Sequence, residues 1–144
     1  MCKLQQVLTK YRKYHLLERK EKFLFLEALA LNLWVGLLLK IIPFRWIPGL
    51  FSSPQSAVGS RQPAVIELIR DAIQRAEKVS PWRNKCMVSS LAARCMLRRR
   101  KIESQLSLGV AKNDAGRTIA HAWISVGEDE IVPRGVGYTE LYFF

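Results

Sequence analysis

Histidine and cysteine are scarce in this chain: two of the first and three of the second among 144 residues. Cys2, Cys86 and Cys95 are odd in number and follow no framework spacing. That excludes a disulfide scaffold and points to free thiols in a reducing compartment, expected to be the cytoplasm; no cleavable signal is expected ahead of them. Acidic residues are also few, 12 against 23 Lys and Arg, for a formal net charge of +11. The basic excess lies in residues 1–101, whereas residues 102–144 are acidic on balance. A basic surface speeds encounters with acidic peptides, anionic lipid or nucleic acid without choosing among them. No zinc-finger spacing, RNP motif or helix-turn-helix accompanies the charge, so nucleic acid is not expected as a partner. Internal repeats and low-complexity tracts are absent too. What remains is a chain about half apolar, of the usual length for one domain with a real core.

The chain divides into a helical section and Pro-rich linker over residues 1–60 and a core over residues 61–144. In the first, a basic helix-forming stretch turns greasy near Phe23 and is ended by Pro43 and Pro48. Residues 23–42 have the length of a membrane span. They also carry Glu27, Asn32 and Lys40, and charges near a bilayer centre cost a few kcal/mol each. A helix that is buried or faces a partner is therefore favoured over a membrane span or surface attachment. His15, among Lys and Arg, is expected to be an exposed helix residue. "PFRWIPGLFSSPQSAVGSRQP" breaks every period and is expected to be a linker or surface loop.

"AVIELIRDAIQRAEKVS" then sets Val65, Ile66, Leu68, Ile69, Ala72, Ile73 and Ala76 at helical spacing, with charges opposite. "SPWRN" is a turn, and Asn84 is placed to cap a helix running through "KCMVSSLAARCMLRRRK". Its final Arg98, Arg99, Arg100 and Lys101 suit the negative end of the helix dipole, either in water or facing an acidic peptide. After that the period becomes two. "ESQLSLGVAK" and "RTIAHAWISV" are strands joined at "NDAG", and "GEDE" turns into the short strand "IVP". Within the second strand, Ile119, His121, Trp123 and Ser125 share one face. The terminal "GVGYTELYFF" is suited to a further strand.

Two of these residues bear reactive groups worth pairing. A thiol is nucleophilic as thiolate, and the free N–H groups at a helix start stabilise that anion. Cys86 has such a place; Cys95, beside Met96 and Leu97, is expected to be a packing residue, and Cys2 is assigned nothing. A cysteine nucleophile needs a base that later protonates the leaving amine, and His121 is the obvious candidate. From the residues alone, a packing thiol and a satisfied strand histidine are the favoured account of the pair, with catalysis the alternative.

The order of motifs, with a Cys-headed helix ending in an Arg-rich turn, then "LGV", a hairpin and "AHAW", resembles the transglutaminase-like B2 proteins of lasso-peptide biosynthesis, the leader peptidases. The resemblance covers roughly residues 64–133. It implies an α+β fold, a transglutaminase-like or papain-like core in which the Cys-bearing helix packs on a small antiparallel sheet bearing His, with an N-terminal helical section. Cys86 then becomes the nucleophile and His121 the general base and acid of a cysteine peptidase acting through a thioester acyl-enzyme. The resemblance also implies a precursor peptide as substrate, a separate leader-recognition protein, a macrolactam-forming cyclase, and no metal or cofactor. A non-catalytic scaffold of the same fold and an acyl-transferring enzyme are the alternatives.

At one place the sequence departs from the pattern. The family places an Asp soon after the His strand to orient the imidazole, and here "IVPRG" offers Val132, Pro133 and Arg134. The nearest acids are Glu128, Asp129 and Glu130. Asp129 is the candidate for a shifted third member, set against a plain solvated hairpin. Trp82 and Trp123 are core aromatics or cleft walls, Trp123 having the better claim to the cleft because it shares the face of His121. The backbone N–H of Cys86 is the natural oxyanion donor.

Overall fold

The computed structural model describes residue 12 and residues 18–51, 63–83 and 85–143. Cys2, His15, the capping Asn84 and most of the Pro-rich linker lie outside the described residues.

Helix α1 (Arg19–Ile41) opens with a capping box in which the Glu21 carboxylate accepts from the Glu18 N–H at 3.2 Å. It stops at Ile42, held extended before Pro43, as the residue before proline prefers. A 3₁₀ turn (Phe44–Trp46) and the short α2 (Ile47–Phe51) follow. Helix α3 (Pro63–Val79) buries Ile66, Ile69, Ala72, Ile73 and Ala76, the stripe its spacing predicts. Helix α4 (Lys85–Arg99) is enclosed on almost every side, with Val88 to Arg94 all buried. Its small Ser89, Ser90, Ala92 and Ala93 let α1, α3 and the sheet approach closely at once.

The four strands are β1 (Gln105–Lys112), β2 (Thr118–Val126), β3 (Asp129–Val132) and β4 (Thr139–Phe143). They form one antiparallel sheet in the order β3-β2-β1-β4. This is the expected α+β arrangement of helices followed by an antiparallel sheet, and the C-terminal aromatics do form a strand. One face, through Leu106, Ile124, Val126, Ile131 and Val132, joins a core shared with Leu24, Ala28 and Val35 of α1 and the buried stripes of α3 and α4. The Arg70 Nε donates to the Glu130 carbonyl at 2.8 Å, so α3 occupies a backbone acceptor of edge strand β3.

The polar residues of α1 have specific partners. Glu27, its carboxylate nearly buried, accepts from Arg99 at 2.8 Å and from Arg100 at 2.7 Å. The arginine run at the end of α4 is thus not simply a helix end in water: two of its members fasten α4 to α1. Asn32, fully buried, accepts from the Ser80 hydroxyl at 2.8 Å, and its carbonyl accepts from the Trp82 indole at 3.1 Å. The Trp82 ring lies directly on Gly36, where a Cβ would collide with it, and Lys40 Nζ sits 4.9 Å from its centroid. These contacts fix the turn that leads into Cys86.

Helix α4 ends in a Schellman motif, with Ile102 N–H bonded to the Leu97 carbonyl and Lys101 N–H to the Arg98 carbonyl. The left-handed position, usually glycine, is Lys101 at φ 57°. A side chain there costs about 1 kcal/mol. Lys101→Gly is expected to raise the unfolding free energy by roughly that amount, measured by urea denaturation; an unchanged or lower midpoint would refute the assignment.

Candidate active site

Cys86 is the second residue of α4, half-buried, at an end whose first N–H groups have no partner within the helix. Cys95 lies over two turns later and packs against the core. Burial pushes its thiol above the ordinary range, against the opposing pull of Arg98, Arg94 and Arg99. It therefore remains a thiol where a reactive cysteine would need to ionise.

His121 lies near the start of β2, opposite Gly109 of β1. Its neighbours Ala122 and Ile124 are wholly buried, and Ile124 belongs to the core; alternation puts His121 on the other face with Trp123, as the sequence predicts. There the imidazole stacks on Trp123 at 6.0 Å between centroids and tilts against Tyr138 at 4.8 Å. Arg134 covers Trp123 from 5.3 Å and donates to the Tyr138 carbonyl. Trp123, only 5% exposed, lies on Gly109, where a Cβ would stand 2.7 Å from its ring and from the Thr139 carbonyl. Gly109, in the "LGV" stretch, is thus a condition for the surface against which His121 rests.

The ring is held by the main chain. Its Nε2 lies 2.8 Å from the Pro133 carbonyl oxygen. A carbonyl can only accept, so Nε2 carries the proton, and in the neutral ring the free lone pair is on Nδ1. Pro133 occupies the stretch where the resemblance calls for an aspartate. Its carbonyl supplies the orienting hydrogen bond without a full negative charge.

Asp129 does not reach this ring. The turn after β2 has only two residues, Gly127 and Glu128, so Asp129 already belongs to β3, opposite Val126. That is five residues along β2 from His121, about 17 Å at the rise of a strand. Glu130 pairs with Ser125, still well removed. The proposed shifted triad member is therefore corrected: "DE" is strand, and its exposed carboxylates serve the solvent side. Asp129→Asn is expected to change the rate of Cys86 alkylation by iodoacetamide less than about twofold. Pro133→Ala, which keeps the carbonyl, should behave alike; a large loss in either would reinstate a side-chain role.

Cys86 and His121 line one open cleft of about 590 Å³. Its walls are mostly apolar, from Leu39 of α1 and Ile42 just after it, Met87 of α4, Leu108 and Val110 of β1, and Leu141 of β4, with Arg83 at its edge. The two groups enter from different sides, Cys86 from the helix layer and His121 from a strand whose ring rests on the far face. They share no hydrogen bond among the described residues. The cleft is thus lined by a helix-start thiol and by His121, whose ring in this structure is turned away onto Trp123, Tyr138 and the Pro133 carbonyl, and Asp129 is left out. Trp82 and the Glu27 ion pairs position α4, and the Pro133 carbonyl is a functional group that side-chain patterns could not disclose. No cluster of His, Cys, Asp and Glu able to hold a metal occurs among the described residues.

Residues 29–142 match the transglutaminase-like superfamily. The chain belongs to that superfamily. The match begins inside α1 and ends in β4, so it takes in the greasy helix as well as the Cys-bearing helix and the whole sheet. No curated protein matched the chain, and no solved structure did. Membership gives the fold and makes cysteine hydrolase or acyl-transfer chemistry the class to consider.

Proposed function

We propose that the protein is a cytoplasmic cysteine peptidase that removes the leader from a ribosomally made lasso-peptide precursor. The observation that carries this is the cleft lined by both the helix-start Cys86 and His121. The motif order that resembles the leader peptidases supplies the substrate class.

In this mechanism the Cys86 sulfur attacks the carbonyl carbon of the last leader residue, and its proton passes to Nδ1 of His121. The tetrahedral oxyanion is met by backbone N–H groups at the start of α4. Collapse breaks the peptide C–N bond; the imidazolium protonates the departing amine, which becomes the N-terminus of the core peptide. Water, deprotonated by the same ring, then hydrolyses the leader thioester and restores the thiol. The Pro133 carbonyl sets the tautomer of the resting ring. Proton transfer requires the His121 ring to turn from its stacking on Trp123 toward the thiol as substrate fills the cleft.

The leader-recognition protein would deliver the precursor, and the cyclase would close the freed amine into a macrolactam. Incubation with precursor and leader-recognition protein, with Cys86→Ala as control, tests the proposal. Leader release lost in the variant supports the peptidase, and release that persists removes Cys86 as nucleophile. A cross-linked product in place of free leader would favour acyl transfer to an amine, and binding without any turnover would favour a scaffold.

A further inference from the structure

Helix α1 is long and apolar enough to cross a membrane, yet only a third of its most apolar window is buried. The buried side faces α3 and α4. The opposite side carries Phe23, Leu26, Leu33, Trp34, Leu37 and Ile41 in one stripe, with Phe23 66% and Ile41 72% exposed. Trp46 and Leu50, just beyond, extend it. So many large apolar side chains on one face exceed the scattered exposure normal for a soluble surface.

The charges on that face share one sign. Its exposed positions include Arg19 and Lys20 at one end, next to the N-cap Glu18, and Arg45 beyond the other, while the exposed Lys40 leans over Trp82. Glu27 is turned into its pairing with Arg99 and Arg100. A groove of about 350 Å³ beside the stripe, between Trp34, Leu38 and Leu50, has Arg98 at its side. Residues 1–17 add Lys3, Lys10, Arg12 and Lys13 and no Asp or Glu. An apolar stripe bounded by cations, with tryptophans at its margin, is complementary to the headgroup and upper acyl region of an anionic bilayer.

We infer that the outer face of α1, with Trp46 and Leu50, docks the protein onto the surface of an anionic lipid bilayer. The helix, about 34 Å long, lies in the plane of the membrane and does not cross it. A crossing would tear Glu27 from its partners at the end of α4 and Asn32 from its partners in the turn before α4, and would strip the core of Leu24, Ala28 and Val35. This placement stands apart from the peptidase proposal, because it uses the side of α1 turned away from the core.

The test is flotation of the full chain with vesicles of phosphatidylcholine containing phosphatidylglycerol, with pure phosphatidylcholine as comparison. Trp emission is followed with acyl chains brominated near the headgroup. Expected are flotation with the anionic vesicles, quenching of wild-type emission that Trp34→Phe reduces and Trp34→Phe/Trp46→Phe largely removes, and binding at least about tenfold weaker in Leu33→Glu/Leu37→Glu. That variant should keep its circular dichroism spectrum and Cys86 alkylation rate; should it not fold, the Trp34 quenching decides alone. Flotation without quenching of Trp34, or binding unaffected in a folded double variant, would mean adsorption by charge only and overturn the inference. No flotation overturns it as well, including the case in which the stripe instead pairs two copies in sedimentation.

Discussion

Cys86→Ala should reduce leader release to the uncatalysed background while leaving the protein folded. Among the described residues lining the cleft, the thiol is the group suited to form an acyl intermediate, and alanine fits its half-buried position at the start of α4. His121→Ala should cost about 10²–10⁴-fold in kcat, the usual contribution of a positioned acid–base. Because the two act as a unit, the double variant should be little worse than Cys86→Ala alone. Cys95→Ala is the contrasting control. Its thiol is held in the protonated form by burial, so its loss should leave turnover unchanged and at most cost some stability. Quantified leader release by mass spectrometry checks all four; robust release by Cys86→Ala would contradict the mechanism.

Gly109→Val should be nearly as damaging, although the residue carries no reactive group. A Cβ there already comes within 2.7 Å of Trp123 and of the Thr139 carbonyl, and one of these is backbone that cannot step aside. Overpacking of this kind costs typically 1–3 kcal/mol. The relief available is to lift Trp123 from the sheet, which removes the surface against which the His121 ring is stacked, or to detach β4 from β1. Both a lower thermal midpoint and loss of His121-dependent reactivity are expected. A variant of unchanged stability whose Cys86 still responds to His121 would show that Trp123 does not set the ring.

Much of this was legible in the sequence where a local period decides it. The stripe from Ile66 to Ala76 defines α3, the alternation from Thr118 to Val126 defines β2, and the same alternation puts His121 with Trp123. Position at a helix start distinguishes Cys86 from Cys95 in the sequence itself. What escaped is tertiary. Glu27 gives no sign in the sequence that Arg99 and Arg100, more than seventy residues on, neutralise it. "GEDE" fits a four-residue turn and a two-residue turn followed by strand equally well, and that difference carries Asp129 away from His121. The group that does meet His121 is a carbonyl, which every residue has and which therefore leaves no side-chain signature. The exposure of one side of α1 is likewise invisible in composition, because the same apolar residues serve a buried helix and a bilayer-facing one.

The central claim is that Cys86 and His121 operate as one reactive pair within this cleft. Its most direct measurement is the rate of Cys86 carboxamidomethylation by iodoacetamide across pH, read by peptide mass spectrometry in the wild type and in His121→Ala, with Cys95 as internal reference. The account predicts that wild-type Cys86 is modified at least about tenfold faster than Cys95 on the acid side of neutrality, and that His121→Ala slows Cys86 while leaving Cys95 unchanged. Identical pH profiles for Cys86 in the two proteins would contradict it.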